Sequence, residues 1–349
     1  MDTDETDSGP VLPLGSVEAP SKATSESVTL SSSPLTSKFY FIYNSLVTVT
    51  LLPLTIIIAS IQLFSFLYKY AFSRKSLEGK IVLLTGASSG LGEALAKALY
   101  QEGCRLILAS RNTRALEKCR LKLLTLRREN VYPPTILNLD LSKIHELPQK
   151  AQQALSIYGN IDILINNAGI SYRGEIINTQ IDVDMELMNV NYFGQVNLTK
   201  HILPSMIENN NGNIVMIGSV QGRIGIPFRS AYAASKHALQ AFSDCLRAEV
   251  KSYGINVTVI NPGYIRTNLS LNAVTGDGSR YGILDATTAS GMDPDVAATK
   301  IIQAIKSNKK ELLLCPLQPR VALHLRNCCP SSYHCLMAWR AKKEKQKNL

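Results

Sequence analysis

Tyr232 and Lys236 stand four residues apart in the run Ser230-Ala-Tyr-Ala-Ala-Ser-Lys236, which contains no helix breaker. On a helix that spacing places both side chains on one face, within reach of each other. A free phenol has a pKa of about 10, and a neighbouring ammonium favours the phenolate. The pair could therefore trade a proton with a carbonyl or alcohol oxygen near neutral pH. The same spacing also describes an ordinary exposed helix face, so the chemical reading requires a cofactor site elsewhere in the chain.

Such a site is offered by Thr85-Gly-Ala-Ser-Ser-Gly-Leu-Gly92, which follows the apolar run Ile81-Val-Leu-Leu and opens the helical stretch Glu93-Ala-Leu-Ala-Lys-Ala-Leu. Strand, glycine turn and helix in that order form a phosphate site: the turn is tight, the backbone can approach a pyrophosphate, and the anion rests on the positive end of the helix. The spacing is Gly-x3-Gly-x-Gly rather than the commoner Gly-x-Gly-x2-Gly. The second apolar run ends Ala109-Ser110-Arg111. A carboxylate there would hold the adenosine ribose of NAD and repel a 2′-phosphate, whereas a guanidinium grips the phosphate bidentately. Arg111 thus points to NADP(H) over NAD(H), its other reading being a solvated arginine after a strand. Asp140 is placed to accept a hydrogen bond from an adenine amine, or to cap the helix that follows.

The elements that must position these groups are visible as periodicity. Short β-rich runs, Ile81–Leu84, Arg105–Ala109, Thr135–Asn138, Ile161–Ile165, Asn213–Ile217, Asn256–Ile260 and Glu311–Leu314, alternate with helical stretches. That alternation predicts an α/β fold with a doubly wound, Rossmann-like parallel sheet of seven strands. Its ligand crevice should lie at the carboxyl ends of the strands, at the topological switch point.

Thr85-Gly86-x3-Gly90-x-Gly92, Asn166-Asn-Ala-Gly169, Asn191 in Asn-Val-Asn-Tyr, Ser219, Tyr232-x3-Lys236 and Pro262-Gly263 resemble the short-chain dehydrogenase/reductase family in order and spacing, over about residues 78–317. Among its members the chain looks closest to the membrane-bound ones. The resemblance implies that Tyr232 is the proton donor, that Ser219 holds the substrate oxygen, and that Lys236 tunes Tyr232 and binds the nicotinamide ribose. It implies that Asn191 holds a relay water, although a core polar residue bonded to backbone is the alternative there. It implies a cofactor cradle of Thr85, Gly86, Ser88, Gly90, Leu91, Gly92, Arg111, Asp140, Asn167, Ala168 and Gly169 with Tyr232 and Lys236. Pro262, Gly263, Ile265 and Thr267 would complete it at the carboxamide, where Thr267 could instead cap a helix. No catalytic position of the family pattern is missing. A nucleotide-sensing interaction protein, using the fold for binding rather than turnover, is the competing class.

The chain has 349 residues and a net charge of +10, without the dense cationic clusters and interleaved aromatics of a nucleic-acid binder. Seven scattered cysteines give no disulfide framework, and Cys329, His334 and Cys335 lack metal-ligand spacing. Residues 1–38 are polar and expected to be disordered. Residues 39–69 form an apolar stretch, uncharged from Phe39 to Tyr68 and long enough to span a ~30 Å hydrocarbon layer. A retained single-pass transmembrane helix is favoured over a cleaved signal peptide. Lys69, Arg74, Lys75 and Lys80 follow it, so the body should face the cytosol, with a lumenal orientation the alternative. The ending Lys345-Gln-Lys347-Asn-Leu349 resembles a dilysine endoplasmic-reticulum retrieval signal and reads equally as a solvated basic tail. A peroxisomal membrane and a homodimer are left open. Glycine-rich Leu269–Met292 is expected to form a substrate lid. The C-terminal extension 318–349 is expected either to rest on the bilayer beside the site or to pack on the body. Together these features predict a lipophilic carbonyl or alcohol substrate.

Overall fold

The computed structural model describes residues 54–66, 76–126 and 132–347. The chain divides into two compact units, residues 1–66 and 67–349. In the first, α1 (residues 54–66) is a helix with exposed side chains. The polar segment 1–38 and most of the apolar stretch 39–69 lie outside the described residues. Among the described residues no helix is long and apolar enough to cross a membrane.

The second unit is built on seven parallel strands: β1 (Ile81–Thr85), β2 (Arg105–Ser110), β3 (Thr135–Asn138), β4 (Ile163–Asn166), β5 (Gly212–Ile217), β6 (Ile255–Pro262) and β7 (Glu311–Leu314). Their spatial order is β3-β2-β1-β4-β5-β6-β7, so the winding reverses between β1 and β4. The apolar runs are continuous because both faces are covered: all five residues of β1 are buried. Alternate residues serve opposite faces. Val82 and Leu84 join a core with α2 (Gly90–Gln101), α3 (Thr113–Leu124) and α9 (Pro294–Lys306). Leu83 joins another with α4 (Leu147–Tyr158), α6 (Gly194–Glu208) and α7 (Ser230–Glu249). Each fully buried leucine contributes roughly 1.5–3 kcal/mol. Helix starts follow local chemistry: Asn112 caps α3 by accepting from Ala115 N at 3.0 Å, and Asp293 caps α9 ahead of Pro294.

All seven expected strands are present, β3 and β7 with the expected bounds and the other five with shifted ends. The fourth begins at Ile163 rather than Ile161, since Asp162 turns its carboxylate onto Ile81 N and Lys80 Nζ, both at 2.9 Å. Around Asn191 the helical run is interrupted: α5 (Ile181–Met188) passes through a π turn, Asn189–Phe193, before α6. Single π turns inside helices often mark functional sites.

The loop 263–293, with the short α8 (Ala286–Ala289), crosses the carboxyl edge of the sheet. The expected lid lies within it and is pinned: Val274 bridges to Tyr172, Ile265 bridges to Met292, and Arg173 Nε and Nη2 donate to Asp285 Oδ2 at 2.8 and 2.6 Å. The C-terminal extension forms two helices, α10 (Leu317–Cys328) and α11 (Pro330–Lys347), packed on the body. Tyr333 is buried and its hydroxyl donates to Gly225 O at 2.7 Å.

Candidate active site

The first turn of α7 brings Tyr232 and Lys236 into the interior, 8% and 4% exposed. Ser219 follows β5, where its hydroxyl accepts from Gln221 N at 3.1 Å. The Ser219 hydroxyl lies near enough to the Tyr232 phenol to favour its ionised form. Together with Ser219, the helical pair lines one cleft of about 600 Å³ at the carboxyl ends of the strands.

The protonation balance differs from the expectation that Lys236 pulls the phenol toward neutrality. Burial pushes Tyr232 up from its ordinary value, outweighing the nearby Ser219 hydroxyl and the charge of Arg173, which act the other way. Burial also pushes Lys236 down, to about 8. Its Nζ donates to Ile217 O at 2.9 Å and stands 5.8 Å from the Tyr232 ring centroid. Desolvation penalises the charged form of both groups and is the largest cause of both shifts.

The rest of the cleft is walled by the expected cofactor residues: Gly86, Ser88, Gly90, Leu91, Gly92, Arg111, Asp140, Asn167, Ala168, Gly169, Pro262, Gly263, Ile265 and Thr267. The wall fits a dinucleotide. A Cβ on Gly92 would lie 2.0 Å from Gly86 O, so only glycine permits this turn to fold onto the helix. No side chain caps the N-terminus of α2, which leaves first-turn N–H groups to an anion. Asn138 Nδ2 holds Arg111 O at 3.0 Å, and the Arg111 side chain itself is exposed beside the cleft. Asp140 Oδ1 accepts from Ser142 N and Oγ at 3.0 and 2.8 Å within its own turn, ahead of the helical turn Ile144–Glu146 rather than as its cap, and faces the cleft.

Two expected residues stand behind the wall. Thr85 is fully buried, and its Oγ1 accepts from Asn167 N and Ala168 N, both at 3.0 Å. It braces the Asn-Asn-Ala-Gly turn, while Asn167 Nδ2 returns to Thr85 O at 2.9 Å. Asn191 is also fully buried. Its Oδ1 accepts from Ile170 N, and its Nδ2 donates to Ile170 O, both at 2.9 Å, and to Ser235 Oγ at 3.0 Å. Its side chain thus holds backbone, as the alternative reading had it.

Asn261 and Arg173 escaped the sequence reading. Buried Asn261 accepts Ser219 N at 3.1 Å through Oδ1, and its Nδ2 donates to Gln240 Oε1 and Glu311 Oε1, both at 2.9 Å. The signal was one polar residue ending the run Val-Thr-Val-Ile-Asn. Arg173 ties the crossing loop to the β4 side and sends its charge toward Tyr232. Nothing local announces it, because its partner Asp285 is 112 residues away. Ile170, Leu269, Ala273 and Val274 give this end of the cleft an apolar lining, with Asn272 and Arg280 also on the wall.

The family described as short chain dehydrogenase matches residues 80–277. The chain is 50% identical over 293 residues to "Dehydrogenase/reductase SDR family protein 7-like" of Drosophila melanogaster, covering 84% of this chain and 90% of that one. It is 48% identical over 296 residues to "Dehydrogenase/reductase SDR family member 7B" of Xenopus tropicalis, covering 83% and 96%. A solved short chain dehydrogenase/reductase from Burkholderia phymatum, in complex with NAD, shares the fold with a TM-score of 0.64 and 23% identity, over 72% of this chain and 94% of that one.

Proposed function

The chain belongs to the short-chain dehydrogenase/reductase family, and from that premise we propose a membrane-anchored oxidoreductase that moves hydride between NADP(H) and a lipophilic carbonyl or alcohol. The carrying observation is that Ser219, Tyr232 and Lys236 line the same cleft as the glycine turn. A bound nicotinamide would supply or take up the hydride. Tyr232 Oη gives its proton to the substrate oxygen in reduction and recovers it in oxidation. Ser219 donates a hydrogen bond to the same oxygen and fixes its position, and Asn261 holds Ser219 in place. Gly86, Ser88, Gly90, Leu91 and Gly92 would hold the pyrophosphate, Asp140 the adenine, and Asn167 to Gly169 the adenosine ribose. Lys236 would hold the nicotinamide ribose, and Pro262, Gly263, Ile265 and Thr267 the carboxamide. The apolar lining from Ile170, Leu269, Ala273 and Val274 supports a lipophilic substrate such as a steroid, retinoid, fatty aldehyde or acyl-glycerone phosphate.

Arg111 supports NADP(H), because an exposed guanidinium at the strand end beside the cleft could grip a 2′-phosphate bidentately. Arg111→Asp should shift the kcat/KM preference from NADPH toward NADH by about tenfold or more, equivalent to ~1.4 kcal/mol. An unchanged ratio would remove Arg111 from cofactor choice.

The anchor rests on the uncharged stretch Phe39 to Tyr68, and the cations that follow it support a body facing the cytosol. With the dilysine-like ending, this supports the endoplasmic reticulum membrane. Protease added outside sealed microsomes should then digest residues 76–349. Full protection of that body would reverse the orientation.

A further inference from the structure

The hairpin of α10 and α11 has one committed face. Ala322 and Tyr333, with partly buried Leu323, Leu325 and Met337, pack against Val220, Ile224 and Cys315. Arg229 Nη2 stands 3.6 Å from Glu344 Oε1, and Lys345 Nζ 2.9 Å from Glu175 Oε1, so ion pairs reinforce the packing. Beside that packing both helices expose large apolar side chains at helical spacing: Leu317 and Val321 on α10 are 73% and 47% exposed, Leu336 and Trp339 on α11 are 38% and 59%. Soluble surfaces scatter such residues singly, so two exposed apolar pairs, each at one-turn spacing on a fixed hairpin, call for an occupant.

The charge around the stripes says which occupant. Residues 317–347 hold seven cations, Arg320, Arg326, Arg340, Lys342, Lys343, Lys345 and Lys347, against Glu344 alone, a net +6 of the chain's +10. A second copy presenting the same face would bring like charge against like. Lys343 Nζ lies 5.1 Å from the Trp339 ring centroid, so ring and ammonium sit at one level. Tryptophan beside lysine, above aliphatic side chains, is the composition of a lipid–water boundary. We infer that the outward face of the α10–α11 hairpin lies on a bilayer bearing anionic headgroups, with Trp339 at the headgroup level. This contact goes beyond the proposed anchor and needs no turnover. It also orients the catalytic unit, because α11 is tied to Glu175 and Arg229, neighbours of the Arg173–Asp285 clasp over the cleft.

The test exploits Trp339 as the chain's single tryptophan. The full chain is combined with phosphatidylcholine vesicles, with or without phosphatidylserine, whose acyl chains are either brominated or plain. In anionic vesicles, brominated lipid should quench roughly half or more of the tryptophan emission, with a blue shift in plain lipid. Zwitterionic vesicles should quench less, and the double variant Lys342→Glu, Lys343→Glu should erase that difference. Equal emission in brominated and plain lipid, whatever the headgroup, overturns the inference. So does a blue shift that follows protein concentration without bromine quenching, which would assign the face to a second copy. Ketone reduction by the same preparations reports on the reductase reading separately, so either reading can fail alone.

Discussion

Tyr232→Phe will lower kcat for reduction of a lipophilic ketone by about a thousandfold while leaving NADPH affinity within about twofold. The substitution removes one oxygen and keeps the ring, which packs with Tyr172, Val183, Leu187 and Ala231. The scaffold and the glycine turn are therefore untouched, and the loss falls on proton transfer. A thousandfold corresponds to about 4 kcal/mol of barrier, within the range of a positioned general acid. Steady-state rates over a panel of lipophilic ketones, with NADPH titration of both proteins, give the comparison. If wild type and variant bind NADPH equally and neither turns over any ketone, the enzyme reading falls and nucleotide sensing takes its place.

The expectations that held rest on local chemistry. The glycine turn is legible because its constraint lies in consecutive residues: Gly92 must abut Gly86 O, and no other residue fits. The seven strands are legible because a parallel sheet covered on both faces needs unbroken apolar runs. What stayed hidden depends on long-range contact or on burial. Arg173 looks like any surface arginine until the fold brings Asp285 to it. Thr85 carries a family-matched site position, yet the fold sets it one layer behind, bonded to the backbone of Asn167 and Ala168. The i, i+4 spacing places Tyr232 and Lys236 on one helix face, but not the direction of the ammonium, which Ile217 O takes. Desolvation, which sets the sign of both pKa shifts, leaves no mark on sequence.

Lys236 therefore carries the second large effect. Burial lowers its pKa from 10.5 to about 8, so in the free enzyme its charge disappears as pH rises through 8. The pH profile of kcat/KM reports free-enzyme groups, and it should fall above about pH 8. An anionic cofactor favours the ammonium, so the corresponding limb of kcat should lie higher. Lys236→Met should remove both limbs and lower kcat/KM at pH 7 by about a hundredfold. Stability should move the opposite way. Since the folded pKa lies below the unfolded one, the unfolded chain binds more protons between about pH 8 and 10.5, and wild-type stability rises with pH across that window. Below it the full penalty of burying the cation persists, on the order of 3 kcal/mol. Losing the bond to Ile217 O offsets about 1–2 kcal/mol of this in the methionine variant. At pH 7 Lys236→Met should therefore melt roughly 2–4 °C above wild type. The gap should narrow as pH approaches 10, because wild-type Lys236 is then already neutral. A variant that melts below wild type at every pH, together with a wild-type kcat/KM flat through pH 8, would show that Lys236 is not the strained, half-committed cation its burial implies.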